Sequence, residues 1–270
     1  MTATKTRAAA ATAPRGQLTE QAAHVAIDAA CRRLGLPTLR GQAADAVAQA
    51  GRANMSYAEF LAELLIAECD QRDQRAAARR LKAAGFPRVK NLRDFEFDAN
   101  PAINPAAVGE LATCQWISRG EPLCLIGDSG TGKTHLLIAL GALAAEKGRK
   151  VKYTLAAKLA NELAEAANDK TLARTIARYG RVDLLVIDEL GYMRLDRHGA
   201  ELLFQVLTER EEKASVAIAS NQPFSRWADT FTDPRLCAAI VDRLTFRGTI
   251  LETGTSSYRL AHTRNKEDQQ

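Results

Sequence analysis

The chain has 270 residues, of which 46% are hydrophobic, and a formal net charge of +5. No apolar run approaches the roughly 20 residues of a membrane-spanning helix, so the reading is a soluble chain with no membrane partner, and the positive balance favours an anionic partner, nucleic acid first. Cys31, Cys69, Cys114, Cys124 and Cys237 are scattered without a C-x-x-C pair, which disfavours a disulfide framework or a zinc site and fits a reducing cytoplasm.

Residues 1–17, "MTATKTRAAAATAPRGQ", are Ala/Thr-rich, basic and without the apolar core of a secretory signal, and read as a disordered tail. Residues 18–96 read as a helical N-terminal domain. "LTEQAAHVAIDAACRRLGL" has Thr19 as N-cap, with Gly35 and Pro37 closing the helix, and "LRGQAADAVAQAGRANM" follows as a second. The third begins with Ser56 and Glu59, a capping box, and its apolar positions Phe60, Leu64 and Leu65 give way to charge after Glu68, so its end is expected to be exposed. Positive charge concentrates there. Arg75, Arg79, Arg80, Lys82, Arg88 and Lys90 are candidate contacts to DNA phosphates; the other reading is a solvated helix face. "FDANPAINP" (97–105) reads as a linker.

From residue 106 to 260 a helix (106–120) is followed by alternation: strands at 122–126, 150–155, 182–188, 215–220 and 249–252 with helices between them. This predicts an α/β fold, a mostly parallel five-stranded sheet covered by helices on both sides. Residues 261–270 read as a polar tail.

"GDSGTGKT" fits G-x-x-x-x-G-K-[ST] between a strand-like "PLCLI" and a helix-like "HLLIALGALAAEK". The glycines let backbone N–H groups turn inward around a polyphosphate, and the positive end of the following helix points at the same place. The candidate nucleotide contacts are Gly127, Asp128, Ser129, Gly130, Thr131, Gly132, Lys133, Thr134 and His135. Lys133 is expected to reach the β- and γ-phosphates, and Thr134 to help hold Mg²⁺. "VDLLVIDEL" ends an apolar strand in Asp188, a second Mg²⁺ group, and Glu189, which is placed to polarise a water for attack on the γ-phosphate. "SVAIASN" ends in Asn221, an amide suited to sense that phosphate. Arg235, Arg243 and Arg247 are candidates for a trans-acting arginine, with Arg243 favoured; each is also an ordinary surface arginine on spacing alone. Arg259 is a candidate second sensor.

These segments, with "DLLVIDELGYMRLDRHGAELLFQVLTER", "SNQPFSRWADTFTDPRLCAAIVDRL" and "SSYRL", resemble the IstB-like ATP-binding proteins, which are transposition helpers of the AAA+ class related to the DnaC/DnaI helicase loaders. The resemblance covers about residues 30–260. It implies the AAA+ sheet with the Asn221 strand between those carrying Gly127 and Asp188, and ATP and Mg²⁺ as ligands. It also implies duplex DNA and the transposase of the same element as partners, and a ring or spiral of identical subunits. Few residues follow "SSYRL", so the separate helical lid of many AAA+ proteins is expected to be absent. The alternatives are a DnaC-like helicase loader and a small-molecule kinase, the latter disfavoured by the Asp188–Glu189 pair.

Overall fold

The computed structural model describes residues 19–192, 194–255, 257 and 258. The tails read at 1–17 and 261–270, and the candidate Arg259, lie outside them. Contacts divide the chain between Arg75 and Ala76, within one long helix. The prolines of 97–105 do not mark the division, because that stretch packs inside the second unit.

The first unit holds α1 (Glu20–Leu34), α2 (Pro37–Ala53) and most of α3 (Tyr57–Ala84). Thr19 caps α1, and Gly35 ends it in the left-handed conformation. Ser56 and Glu59 form the expected reciprocal box, with Ser56 N donating to Glu59 Oε2 at 2.9 Å. Leu36, the N-cap of α2, contributes no side-chain bond. The buried Glu68 of α3 does so instead, accepting from Thr38 N (2.8 Å) and Leu39 N (2.9 Å). A carboxylate at a helix N-terminus satisfies orphan amides and complements the helix dipole. These amides are the main reason the Glu68 carboxyl titrates below its ordinary value.

The second unit contains α4 (Pro105–Ala112), α5 (Gln115–Ser118), β1 (Leu123–Ile126), α6 (Lys133–Glu146) and β2 (Val151–Leu155). Next come α7 (Ala156–Asn168), α8 (Leu172–Gly180), β3 (Leu184–Leu190), α9 (Arg197–Arg210), β4 (Ser215–Ser220), α10 (Pro234–Thr245) and β5 (Thr249–Glu252). The strand order is β2–β3–β4–β1–β5, every neighbour parallel, so β4 lies between β1 and β3 as the resemblance implied. Alternate strand residues feed two cores. Cys124, Leu185, Ile187 and Ile218 face α7, α9 and α10. Leu123, Leu125, Val186 and Ala219 face α4 and α6. Burial on both faces makes "LCLI" a continuous apolar run with no alternation to read.

The structure departs from the sequence reading at two element boundaries and in the burial of one helix end. The helix expected over 106–120 breaks at Cys114, whose φ is 62°, and the turn lets the buried Trp116 donate its indole N–H to Leu111 O at 3.0 Å. Strand β3 runs on to Leu190 through an irregularity between Ile187 and Leu190. The end of α3 is not exposed throughout. Ala84 is fully buried, Leu81 packs on the core, and Arg80 Nε donates to Ala145 O at 2.7 Å. That contact places a cation on the C-terminal carbonyls of α6, where the helix dipole favours it. Arg210 is also buried. Its guanidinium donates to the carbonyls of Tyr179, Asp183 and Ser215, and desolvation pulls its pKa down to about 10.

Glu68→Ala is expected to speed hydrogen exchange across residues 37–53 in the full chain and leave the β1–β5 amides unchanged. Because folding lowers the Glu68 pKa, its contribution is complete at neutral pH and is lost as pH falls through the folded value. The difference between wild type and variant should therefore vanish in acid.

Candidate nucleotide site

The phosphate loop joins the end of β1 to the start of α6, at the carboxyl edge of the sheet where open α/β folds place ligands. Its backbone needs glycine for steric reasons. At Gly127, where φ is 156°, a Cβ would collide with Thr253 Oγ1 and sit 2.8 Å from Gly254 O. At Gly132, where φ is 93°, it would lie 2.7 Å from the Phe95 ring. Thr131 Oγ1 and Thr253 Oγ1 meet at 2.6 Å, and Thr253 N donates to Ile126 O at 2.7 Å. Lys133 Nζ donates to Asp128 O at 2.5 Å and is buried within the loop. Helix α6 starts at Lys133, so its first amides face back toward the loop without intrahelical acceptors.

The acidic pair comes from β3. Asp188 is buried and accepts from Thr134 Oγ1 (3.2 Å) through Oδ1 and from Tyr153 OH (2.9 Å) through Oδ2. Burial, then the charge of Asp188, pushes the Tyr153 phenol well above its ordinary pKa, so it stays a proton donor to the carboxylate. Glu189 sits in the left-handed region at φ 61°, its N–H donating to Asp188 Oδ1 at 2.9 Å. This local strain turns Glu189 out of the pleat, exposed beside the buried Asp188. Asn221, just past β4, lines the same cavity. Its buried Oδ1 has no hydrogen-bond partner among the described residues.

The cavity, about 320 Å³, brings Ser129–His135 together with Asp188, Glu189 and Asn221. Gly127 and Asp128 anchor the loop behind it, donating to Ser220 O and Gly254 O. His135 contributes at the rim, where Nε2 lies 3.0 Å from Asn91 O and the ring meets Phe95 edge-on at 5.3 Å. Sequence reading missed four residues. Tyr153 orients Asp188. Tyr192 OH donates to Ser129 Oγ at 3.2 Å, and Tyr258 OH donates to Glu96 Oε1 at 2.9 Å. Asn100, read as linker, is buried and donates Nδ2 to Thr131 O (2.8 Å) and Thr253 O (3.0 Å). Asn100 and Asn104 each precede a proline, so the two look alike in sequence, but only Asn104 caps α4.

Other candidates lie apart. Arg75 donates to Thr38 Oγ1, and Arg79 and Lys82 are exposed on α3. Arg88 and Lys90 line the nucleotide cavity. Arg243 is bound to Glu211 Oε2 at 3.0 Å and stacks 4.2 Å over the Phe204 ring. It borders the residues that lead into β1, β4 and β5, at the opposite edge of the sheet from the phosphate loop. Arg235 and Arg247 are exposed. All five cysteines are free, and no helix among the described residues is long and apolar enough to cross a membrane.

The glycine cradle, the amides at the start of α6 and the Lys133 ammonium fit a nucleoside polyphosphate, and the orphaned Asn221 Oδ1 is an acceptor suited to a water beside it. With the β2–β3–β4–β1–β5 sheet they define a P-loop ATP-binding protein of the AAA+ class. The family model of the IstB-like ATP-binding proteins matches residues 29–266, and the chain belongs to that family. It is 38% identical over 216 residues to an ATP-binding protein of insertion sequence IS21 from Pseudomonas aeruginosa, covering 80% of this chain and 82% of that one. It is 34% identical over 240 residues to that of insertion sequence IS5376 from Geobacillus stearothermophilus, covering 89% and 96%. Among solved structures, AMPPCP-bound DnaA from Aquifex aeolicus is similar with a TM-score of 0.54 at 23% identity, over 68% of this chain and 56% of that one. DnaI is similar with a TM-score of 0.51 at 20% identity, over 60% and 90%. At these identities the structural likeness shows the fold.

Asn100→Ala leaves two buried carbonyls short of a donor, and such a loss costs about 1–3 kcal/mol. Thermal unfolding should show a lower midpoint and a smaller upward shift on adding ATP. An unchanged ATP-induced shift would mean the loop holds its shape without Asn100.

Proposed function

We propose that this protein hydrolyses ATP to ADP and phosphate and uses that cycle as a switch on DNA, helping the transposase encoded by its own insertion sequence. The observation that carries the reading is the grouping of Lys133, Thr134, Asp188, Glu189 and Asn221 around one cavity. Thr134 and Asp188 would hold Mg²⁺, which supplies charge neutralisation on the phosphates when bound. Lys133 turns from the loop carbonyl toward the β- and γ-phosphate oxygens. Glu189, facing the cavity, accepts a proton from the attacking water, and the Asn221 amide orients that water.

Arg243 cannot reach the nucleotide of its own chain from the far edge of the sheet. Its role is in trans, completing the site of a neighbouring copy in a ring or spiral. Duplex DNA is gripped by the exposed Arg79 and Lys82. The insertion-sequence names of the relatives favour a transposition helper over a helicase loader.

The test is ATP hydrolysis with and without duplex DNA at two salt concentrations. DNA should stimulate turnover, and the stimulation should fade as salt rises, because phosphate contacts release counterions. Glu189→Gln should lower turnover by about 10² or more while retaining ATP binding. Turnover indifferent to DNA, or untouched by Glu189→Gln, would sink the proposal.

A further inference from the structure

The basic residues on and just after α3 are neighbouring candidates for DNA contact in sequence, and the fold separates them. Arg80 is spent on the α6 carbonyls, whereas Arg88 and Lys90 are carried to the nucleotide cavity. Their placement is built on either side. The Phe86 ring sits against α6 where Gly141 makes room, since a Cβ there would lie 3.0 Å from the ring, and it also meets Tyr153 at 5.9 Å. A glycine inside a helix costs about 1 kcal/mol relative to alanine, so Gly141 makes this berth at the expense of α6. Pro87 then restricts the backbone at φ. On the other side Asn91 O is held by His135, and Phe95 packs on the His135 ring. Arg88 lies between these two anchors, exposed at the cavity mouth.

Its position along the cavity is also defined. Phe86, two residues before Arg88, meets the Tyr153 ring at 5.9 Å. Tyr153 in turn is bonded to Asp188, and Asp188 to Thr134. Arg88 is therefore on the carboxylate side of the cavity, where the end of the polyphosphate must lie if Lys133 and Thr134 take their places. Charge balance points the same way. Asp94, Glu96, Asp188 and Glu189 all line the cavity, and Lys133 alone does not offset them before a triphosphate adds its own negative charge.

We infer that Arg88, with Lys90 beside it, is a nucleotide-binding residue that contacts the terminal phosphate of ATP bound to the same chain, and is not part of a DNA surface. This rests on the cavity being the ATP site. A cation from the segment preceding the sheet then distinguishes ATP from ADP without help from a neighbouring subunit.

The experiment titrates full-length protein with fluorescent ATP and ADP analogues, without DNA and with Mg²⁺, comparing wild type, Arg88→Ala, Arg93→Ala and Lys133→Ala. Arg88→Ala should raise the Kd for ATP about tenfold, the size of one lost charge-assisted hydrogen bond, and that for ADP less than about threefold. The exposed Arg93, two residues beyond the Asn91 anchor, should make no difference. At saturating ATP, the salt dependence of duplex DNA binding should be the same for wild type and Arg88→Ala. Unchanged ATP affinity in Arg88→Ala overturns the inference, and so does equal weakening of ATP and ADP. A loss equal to that in Arg93→Ala, or a DNA salt slope lowered by about one, overturns it as well. ATP binding insensitive to Lys133→Ala would instead sink the site assignment itself.

Discussion

The structure turns on a tightly bent glycine loop that has to hold its shape. Gly127, Gly130 and Gly132 have positive φ, and the space beside each is occupied by a distant part of the chain. Thr253 and Gly254, just past β5, press on Gly127, and Phe95 presses on Gly132. Asn100 ties the loop carbonyl of Thr131 to that of Thr253. The loop is thus backed from both sides by segments that precede and follow the sheet. Preorganisation of this kind matters because donors already in place need not be reorganised when charge arrives.

The sheet order gives the loop its chemical neighbours. Strand β4 separates β1 from β3, so the phosphate loop and the acidic pair sit two strands apart with Asn221 between them. The irregularity in β3 then treats adjacent carboxylates differently. Asp188 stays in the pleat, buried and bonded to Thr134 and Tyr153, and Glu189 adopts a left-handed backbone and becomes exposed. One carboxylate is held in a fixed hydrogen-bond frame and the other is available to solvent. The division of labour proposed for them follows from that contrast.

Charge clustered in sequence does not stay clustered in space. The cations between Arg72 and Arg93 fall on different structures. Arg72 and Arg75 bond to residues of the first unit, Arg80 ends α6, and Arg88 and Lys90 line the cavity. Arg79 and Lys82 stay exposed on α3. Past Ala84 the helix stops, and the direction of the chain follows where Phe86 packs.

The phosphate loop, the Asp188–Glu189 pair, the strand alternation and most element boundaries were legible from residue order. The reason is that each depends on local rules: glycine at positive φ, lysine at fixed spacing, apolar runs the length of strands. The capping box at Ser56 and Glu59 was legible in the same way. Asn100, Tyr153, Tyr192 and the berth for Phe86 were not, because their partners lie tens to more than a hundred residues away. An asparagine in a proline-rich stretch looks like linker until a carbonyl from just past the last strand is set beside it. Local propensity chose the elements; which buried polar groups had to be satisfied, and by whom, was decided only when the chain closed on itself.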